Sequence, residues 1–351
     1  MSKGKGIASA VVVAALVICV VVFRGRMQFD WGMFWRQLRY VAWGHIAAGV
    51  ALIWVTYWMR SVRWAVMLAP TKKVGWFRTV GAQFIGFTAV ALFGRLADLT
   101  RPYLIAKRVE LSLSSQVAVY TIERMFDLGA AAIIFSCALA FTPHDLPHHE
   151  IFVRTGEFSL AGTLLLAVFA LVVRAAGGAV ATVVGKVLGV LSKPVGESVA
   201  AKIIEFRKGL LTLDSMGQLA VTLVISLVMW GCIGRAYVET LHAFVDTPQL
   251  ATISFSQTML LMGASIGGSL LQLPVVGWFT QIAVTATAMR TFYGAPVESA
   301  TACGALLLMV TSLSILPVGF VFAQIERVSL RAAANESGVA SEGDAAVEAG
   351  G

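Results

Sequence analysis

The chain has 351 residues, 58% of them apolar and 13% charged, and its 27 basic against 19 acidic side chains give a net charge of +8. A soluble domain carries about 25% charged residues, so this composition excludes an ordinary soluble enzyme and makes a bilayer the main solvent. In a membrane chain a basic surplus first orients the loops and then attracts anionic lipid, so it does not indicate nucleic acid.

Crossing the hydrocarbon takes about 20 apolar residues. The first run, Ile7 to Phe23, follows Lys3 and Lys5 and is closed by Arg24 and Arg26 with no A-x-A cleavage pattern, which predicts an uncleaved helix starting in the cytoplasm. Asp30 to Tyr40 interleaves Trp31, Phe34 and Trp35 with Arg36 and Arg39, the pattern of a segment at headgroup level. Seven of the nine tryptophans fall at or before Trp76, as an aromatic belt around the early helices would have it. A second span is predicted from Tyr40 to Met59, with Arg60, Arg63, Lys72, Lys73 and Arg78 marking a cytoplasmic loop. This places Arg24, Arg26, Arg36 and Arg39 outside, against the charge rule, and the Arg60 to Arg78 cluster outweighs them.

Thr79 to Gly94 is uncharged but only 16 residues long, and Arg95, Asp98, Arg101, Lys107 and Arg108 follow at once. A re-entrant hairpin, dipping in from the cytoplasm and returning, keeps those charges inside. Val117 to Phe141 is the next span, leading to an outer loop with Asp145, Glu150 and Glu157. Phe158 to Val173 returns inward. Arg174 to Gly217 reads as the main cytoplasmic loop, with an amphipathic helix near Ala200 to Leu213, and Leu219 to Val245 goes outward. From Thr247 to Met289 there are 43 residues without Asp, Glu, Lys, Arg or His, broken by Gly263, Gly267, Gly268, Pro274 and Gly277. Either two helices cross there or a second re-entrant hairpin enters from outside. Ala300 to Phe322 is the last span, and Arg327 and Arg331 favour a cytoplasmic end, a parity that only the hairpin gives.

The two broken segments echo one another. Asp98 stands four residues after Gly94, and Gln281 four after Gly277; Leu113 and Pro296 each lie fifteen positions beyond that polar residue. In opposite orientations the halves would make an inverted repeat, the plan by which many transporters build a midplane site.

At these residues the chain resembles the lysylphosphatidylglycerol synthase transmembrane region family, the flippase-like membrane domains. Gly94-Arg95-Leu96-Ala97-Asp98-Leu99-Thr100-Arg101 resembles the family's P-x-R-x-G-E-x-x-R stretch, and Glu123-Arg124-Met125-Phe126-Asp127 its E-R-x-x-D. Leu273-Pro274-Val275-Val276-Gly277 with Gln281 resembles L-P-G-x-G and the polar residue beyond it. Phe93, Ala97, Asp98, Trp278 and Phe279 depart from the family pattern. The resemblance spans Trp35 to Phe322 and implies lipid translocation or lipid handling. Some members add a soluble aminoacyl-transfer domain, whereas this chain ends in an acidic tail, so no enzymatic activity is expected.

Charged residues within a span cost about 2.5 to 3.5 kcal/mol each on insertion scales, so Glu123, Arg124 and Asp127 need partners or water. Two readings stay open: an ion network pinning this helix to the hairpin through Arg95 and Arg101, or the same arginines seating a lipid phosphate, since a guanidinium fork matches phosphate. Arg235 and Glu239, four apart, read as a local salt bridge. Gln257, Gln272 and Gln281 serve either a headgroup or unwound backbone. The four cysteines, Cys19, Cys137, Cys232 and Cys303, lie in apolar runs without C-x-x-C spacing, which argues against disulfide, zinc or redox work.

The expectation is therefore an all-α polytopic membrane protein, with about six spanning helices and two re-entrant hairpins. Residues 1–331 form the flippase-like domain and 332–351 a disordered cytoplasmic tail. It would lie in the inner (plasma) membrane with both termini cytoplasmic, need no cofactor or metal, and take an anionic lipid at Arg95, Asp98, Arg101, Glu123, Arg124, Asp127, Gln272 and Gln281. A second copy or a lipid-modifying enzyme are the protein partners that fit, the latter if the chain presents lipid without moving it.

Overall fold

The computed structural model describes residues 29–142, 144, 149–211, 215–269 and 276–337. The expected first helix, Asp145, Gln272 and most of the acidic tail lie outside them, as does the Arg95 side chain. Every regular element among the described residues is helical.

Helix α1 (Trp31–Arg39) starts at Asp30, whose carboxylate accepts the Met33 amide at 3.0 Å, and buries none of its residues. It meets α2 (Trp43–Leu68) at 74°, as a surface-lying segment feeding a span should. Helix α2 corrects the sequence reading. The chain does not leave the membrane body at Met59: the helix runs on to Leu68 and buries Arg60 and Arg63, which are 8% and 0% exposed. After the arginines come Trp64-Ala65-Val66-Met67-Leu68, and no breaker stands before Pro70, so nothing local stops the helix.

Helix α3 (Phe77–Phe93) stops at Gly94, whose φ of 69° and ψ of −154° belong to a region open essentially to glycine alone. A 3₁₀ turn (Gly94–Ala97) then redirects the chain into α4 (Thr100–Val109), which closes at Glu110 with φ 54°. Ser112 accepts the Ser115 amide at 3.3 Å and opens α5 (Leu113–Ala140). Among the described residues, the helices of the second broken segment follow a similar order. Helix α10 (Phe255–Ser269) is followed by α11 (Val276–Tyr293), Gly294 with φ 65°, and then α12 (Val297–Leu308), a π turn (Met309–Leu313) and α13 (Leu316–Ile325).

Between the two segments lie α6 (His149–Leu191), α7 (Lys193–Leu211), α8 (Met216–His242) and the single turn α9 (Pro248–Ala251). Two expectations are corrected here. Glu150 and Glu157 belong to α6 and not to an outer loop. Arg174 to Leu211 is no loop but a helical hairpin: α6 continues past a break at Ala176 (φ −129°, ψ 31°), and α7 folds back along it. Small residues let the arms touch backbone to backbone. A Cβ on Gly196 would stand 2.5 Å from the Gly185 carbonyl oxygen and 2.7 Å from the Gly189 nitrogen. Periodicity within each arm is apolar and helical, and what made the stretch read as a loop was the scatter of Arg174, Lys186, Lys193, Lys202 and Arg207.

By length and hydropathy, Phe152–Val190, Met216–His242 and Val297–Ile325 can each cross a bilayer, and the bent pair α1–α2 makes a fourth candidate. Helix α5 carries Glu123, Arg124 and Asp127 among its 28 residues, and α3, at 17 residues, is apolar but short. Two apolar clusters hold the bundle. One joins Tyr57, Phe84, Tyr237, Leu241, Leu307 and Val310. The other joins Trp64, Leu68, Ile85, Ile105 and Ile122. Arg60 stands on α2 one turn from Tyr57 of the first cluster and one turn from Trp64 of the second, so a charged group lies where two dry cores meet.

Candidate functional site

Glu123 and Asp127, four residues apart on α5, face the same way and are buried, at 0% and 4% exposure. Two other helices converge on them, and α8 reaches one of the converging arginines. From α4, Arg101 presents both arms to Glu123, Nη1 to Oε1 at 3.0 Å and Nη2 to Oε2 at 2.7 Å. From α2, Arg63 bridges the two acids, donating at 2.6 Å to Glu123 Oε1 and at 2.7 Å to Asp127 Oδ1; its Nη1 also reaches the Ser226 hydroxyl of α8 at 2.6 Å. Arg60 donates to Asp127 Oδ2 at 3.1 Å and more loosely to Glu123, while the Trp64 indole N–H donates to Glu123 Oε2 at 2.7 Å. Arg124 lies 3.3 Å from Asp127 Oδ2. Such a cluster persists in a dry interior only because each charge has partners in good geometry.

Local sequence makes the convergence feasible. A Cβ at Gly86 of α3 would stand 2.6 Å from the Arg101 Cβ and 3.0 Å from its Cα, so glycine there lets α4 seat against α3. Gln83, a turn earlier on α3, accepts from Arg101 Nη1 at 3.0 Å. Phe87 closes the site apolarly, its ring centroid 4.7 Å from the Arg101 guanidinium carbon and 4.9 Å from that of Arg60, a cation–π arrangement.

Beside the network opens a cavity of about 630 Å³. Its lining is mostly apolar, Phe87, Leu128, Trp230 and Met262 included, and two polar groups are set into it. The charged group comprises Arg60, Asp98, Arg101, Arg124 and Asp127. The neutral polar group is Tyr237, Ser265, Gln281 and Thr311, with the Tyr237 hydroxyl donating to Ser265 Oγ at 3.0 Å and Gln281 Nε2 donating to it at 3.1 Å. Gly94 and Gly277, the glycines of the two broken segments, both border it. The volume suits a small ligand or a lipid headgroup.

Of the residues singled out from sequence, Asp98, Arg101, Arg124, Asp127 and Gln281 meet at this cavity, with Glu123 directly behind Arg101. Arg95 and Gln272 fall outside the description. Arg101 is spent on Glu123 and Gln83, which makes it the counter-ion of the network before anything else. The Nε atoms of Arg60, Arg63 and Arg124 are buried and make no hydrogen bond among the described residues, and of these three arginines Arg60 and Arg124 line the cavity. Sequence reasoning missed Arg60, Arg63 and Trp64. The signal lies in the apolar stretch Trp64-Ala65-Val66-Met67-Leu68 beyond the arginines, which by themselves look like a loop mark. The pair Arg235–Glu239 does form, at 2.5 Å, with His45 as a second partner of Glu239 at 2.6 Å. No group of three or more His, Cys, Asp or Glu among the described residues is placed to hold a metal ion.

An all-helical bundle with several helices long and apolar enough to cross a bilayer, and a buried arginine–carboxylate network beside a cavity bordered by Gly94 and Gly277, has the character of a multi-pass membrane protein. The family model for the lysylphosphatidylglycerol synthase TM region matches residues 7–324, and the chain belongs to that family, whose members are membrane proteins tied to lipids or lipid modification. Comparisons with curated proteins and with solved structures gave no match.

Proposed function

We propose that this protein is a lipid translocase that admits an anionic headgroup to the cavity between its two broken segments while the acyl chains stay in the bilayer. The observation that carries this reading is the charge of the cavity's lining and of the network directly behind it. Four guanidiniums, of Arg60, Arg63, Arg101 and Arg124, gather around the two acids Glu123 and Asp127, and Asp98 adds a third acid at the cavity, so a cationic surplus remains. An anion placed there gains charge-assisted hydrogen bonds from Arg60 and Arg124, and the Tyr237–Ser265–Gln281 group offers neutral hydrogen bonds to the rest of the headgroup. The similar order of helices around Gly94 and Gly277 supports an inverted repeat with two re-entrant hairpins, which would let the cavity open to either leaflet in turn.

In this reading the chain works in the inner (plasma) membrane with both termini cytoplasmic, and the arginines bind and position without catalysing a covalent step. The test is purified protein in liposomes, with an anionic and a zwitterionic fluorescent phospholipid scored for leaflet exchange by a membrane-impermeant quencher. Faster exchange of the anionic probe than in protein-free vesicles supports translocation. Saturable binding of that probe without exchange would replace it with a presenting role, beside a lipid-modifying enzyme.

A further inference from the structure

The hairpin of α6 and α7 has a surface its own fold does not explain. At about 1.5 Å per residue, the 39 residues of Phe152–Val190 come to roughly 58 Å, against roughly 30 Å of hydrocarbon. Half of that helix must therefore find apolar surroundings outside a straight crossing. Helix α7 covers one side only, its Ile203 packing with Val173 and Ala181 of α6. On the other side Val183, Val187 and Val190 form a stripe at 61%, 62% and 88% exposure, and Val195, just past the hairpin's tip, continues it at 51%. Water is a poor solvent for such a stripe.

We propose that the hairpin lies on the membrane surface, with the Val183–Val187–Val190 stripe pressed into the headgroup boundary of an anionic leaflet. The break at Ala176, two residues after Arg174, is where the chain can turn from crossing the bilayer to lying along it. Charge names the occupant. Lys186 is exposed on the stripe itself, Lys193 sits at the tip, and Lys202 is exposed on α7, while the acids of the hairpin are Glu197 and Glu205. A protein interface depletes lysine from its apolar centre, whereas a lysine at a lipid boundary lays its stem on the hydrocarbon and raises its ammonium to the phosphates. Juxtamembrane basic residues are drawn to anionic lipid at about 1 kcal/mol each. The inference is independent of what the central cavity carries.

The experiment places the photoreactive residue p-benzoylphenylalanine at Val187 in the full chain, reconstitutes it in nanodiscs with or without anionic phospholipid, and identifies the adducts by mass spectrometry. The expected result is a lipid adduct from Val187, several-fold stronger in anionic discs, while the same residue at Ala332 gives little. Combining Lys186→Gln with Lys193→Gln should bring the anionic yield down to the neutral one. Protein-to-protein adducts at Val187 would mean that a second copy covers the stripe, and absence of any adduct would mean that water does; either result overturns the proposal. Monodisperse elution of every variant shows that folding is not the cause.

Discussion

Arg101 of α4 and Glu123 of α5 meet arm to arm, both guanidinium nitrogens on both carboxylate oxygens at 3.0 and 2.7 Å. This ties α4, the helix that follows the Gly94 turn, to α5, whose Glu123 and Asp127 are buried beside it.

Breaking that tie from one side should be worse than removing it whole. Arg101→Ala leaves Glu123 with Arg63 and Trp64, while Glu123→Ala leaves two buried guanidiniums with less to face. Each should destabilise by about 3–5 kcal/mol, and the double variant by clearly less than their sum, because an uncompensated buried charge is what costs most. Thermal unfolding in detergent, read as a double-mutant cycle, measures the coupling; additive effects would refute the network.

The arginines should separate by role. Arg124 is the most exposed of the four at the network, with a side chain 40% accessible, and it borders the cavity. Arg124→Gln should lower the exchange of an anionic lipid probe several-fold with little change in unfolding temperature. Arg101→Lys keeps the charge but loses the fork, so it should cost about 1.5–3 kcal/mol of stability, the worth of a hydrogen bond to a charged group. If Arg124→Gln unfolds the protein and Arg101→Lys leaves it unchanged, the assignment is reversed.

Gly86 offers a test of packing. Gly86→Ala sets a methyl 3.0 Å from the Arg101 Cα, a backbone atom that moves only with α4, and overpacking of this kind costs about 1–3 kcal/mol. Gly129→Ala on α5, with nothing within 4 Å of the new Cβ, serves as the control and should be silent or slightly stabilising. Equal unfolding temperatures for the two variants would contradict the close seat of α4.

Contacts at the end of the chain make a topological prediction. The Tyr103 hydroxyl donates to Glu336 at 2.7 Å, and Arg108 pairs with Glu326 at 2.7 Å, so the C-terminal stretch and the end of α4 share one side of the membrane. His144 lies past the far end of α5, whose 28 residues come to roughly 42 Å at about 1.5 Å each. An impermeant thiol reagent should label Lys107→Cys and Ala332→Cys from one side and His144→Cys from the other. The charge pattern expects the first side to be cytoplasmic. Labelling of all three from one side would exclude α5 as a span.

Much of this protein follows from local pattern. Hydropathy alone determines that the chain is helical and lives in a bilayer, because only hydrogen-bonded helices or closed barrels satisfy backbone there. The glycine at which α3 ends, the echo between Gly94–Asp98 and Gly277–Gln281, and the shared face of Glu123 and Asp127 were all legible from spacing. Tertiary structure decided what spacing cannot carry. Arg60 and Arg63 look like a loop marker because a charge at the end of an apolar run is ordinarily in water, and only the arrival of α5, some sixty positions later in the chain, makes burial affordable for both. The same holds for the hairpin from Arg174 to Leu211: its lysines announce solvent, whereas its glycines, meeting backbone to backbone across the tip, hold two helices together and turn the valines outward.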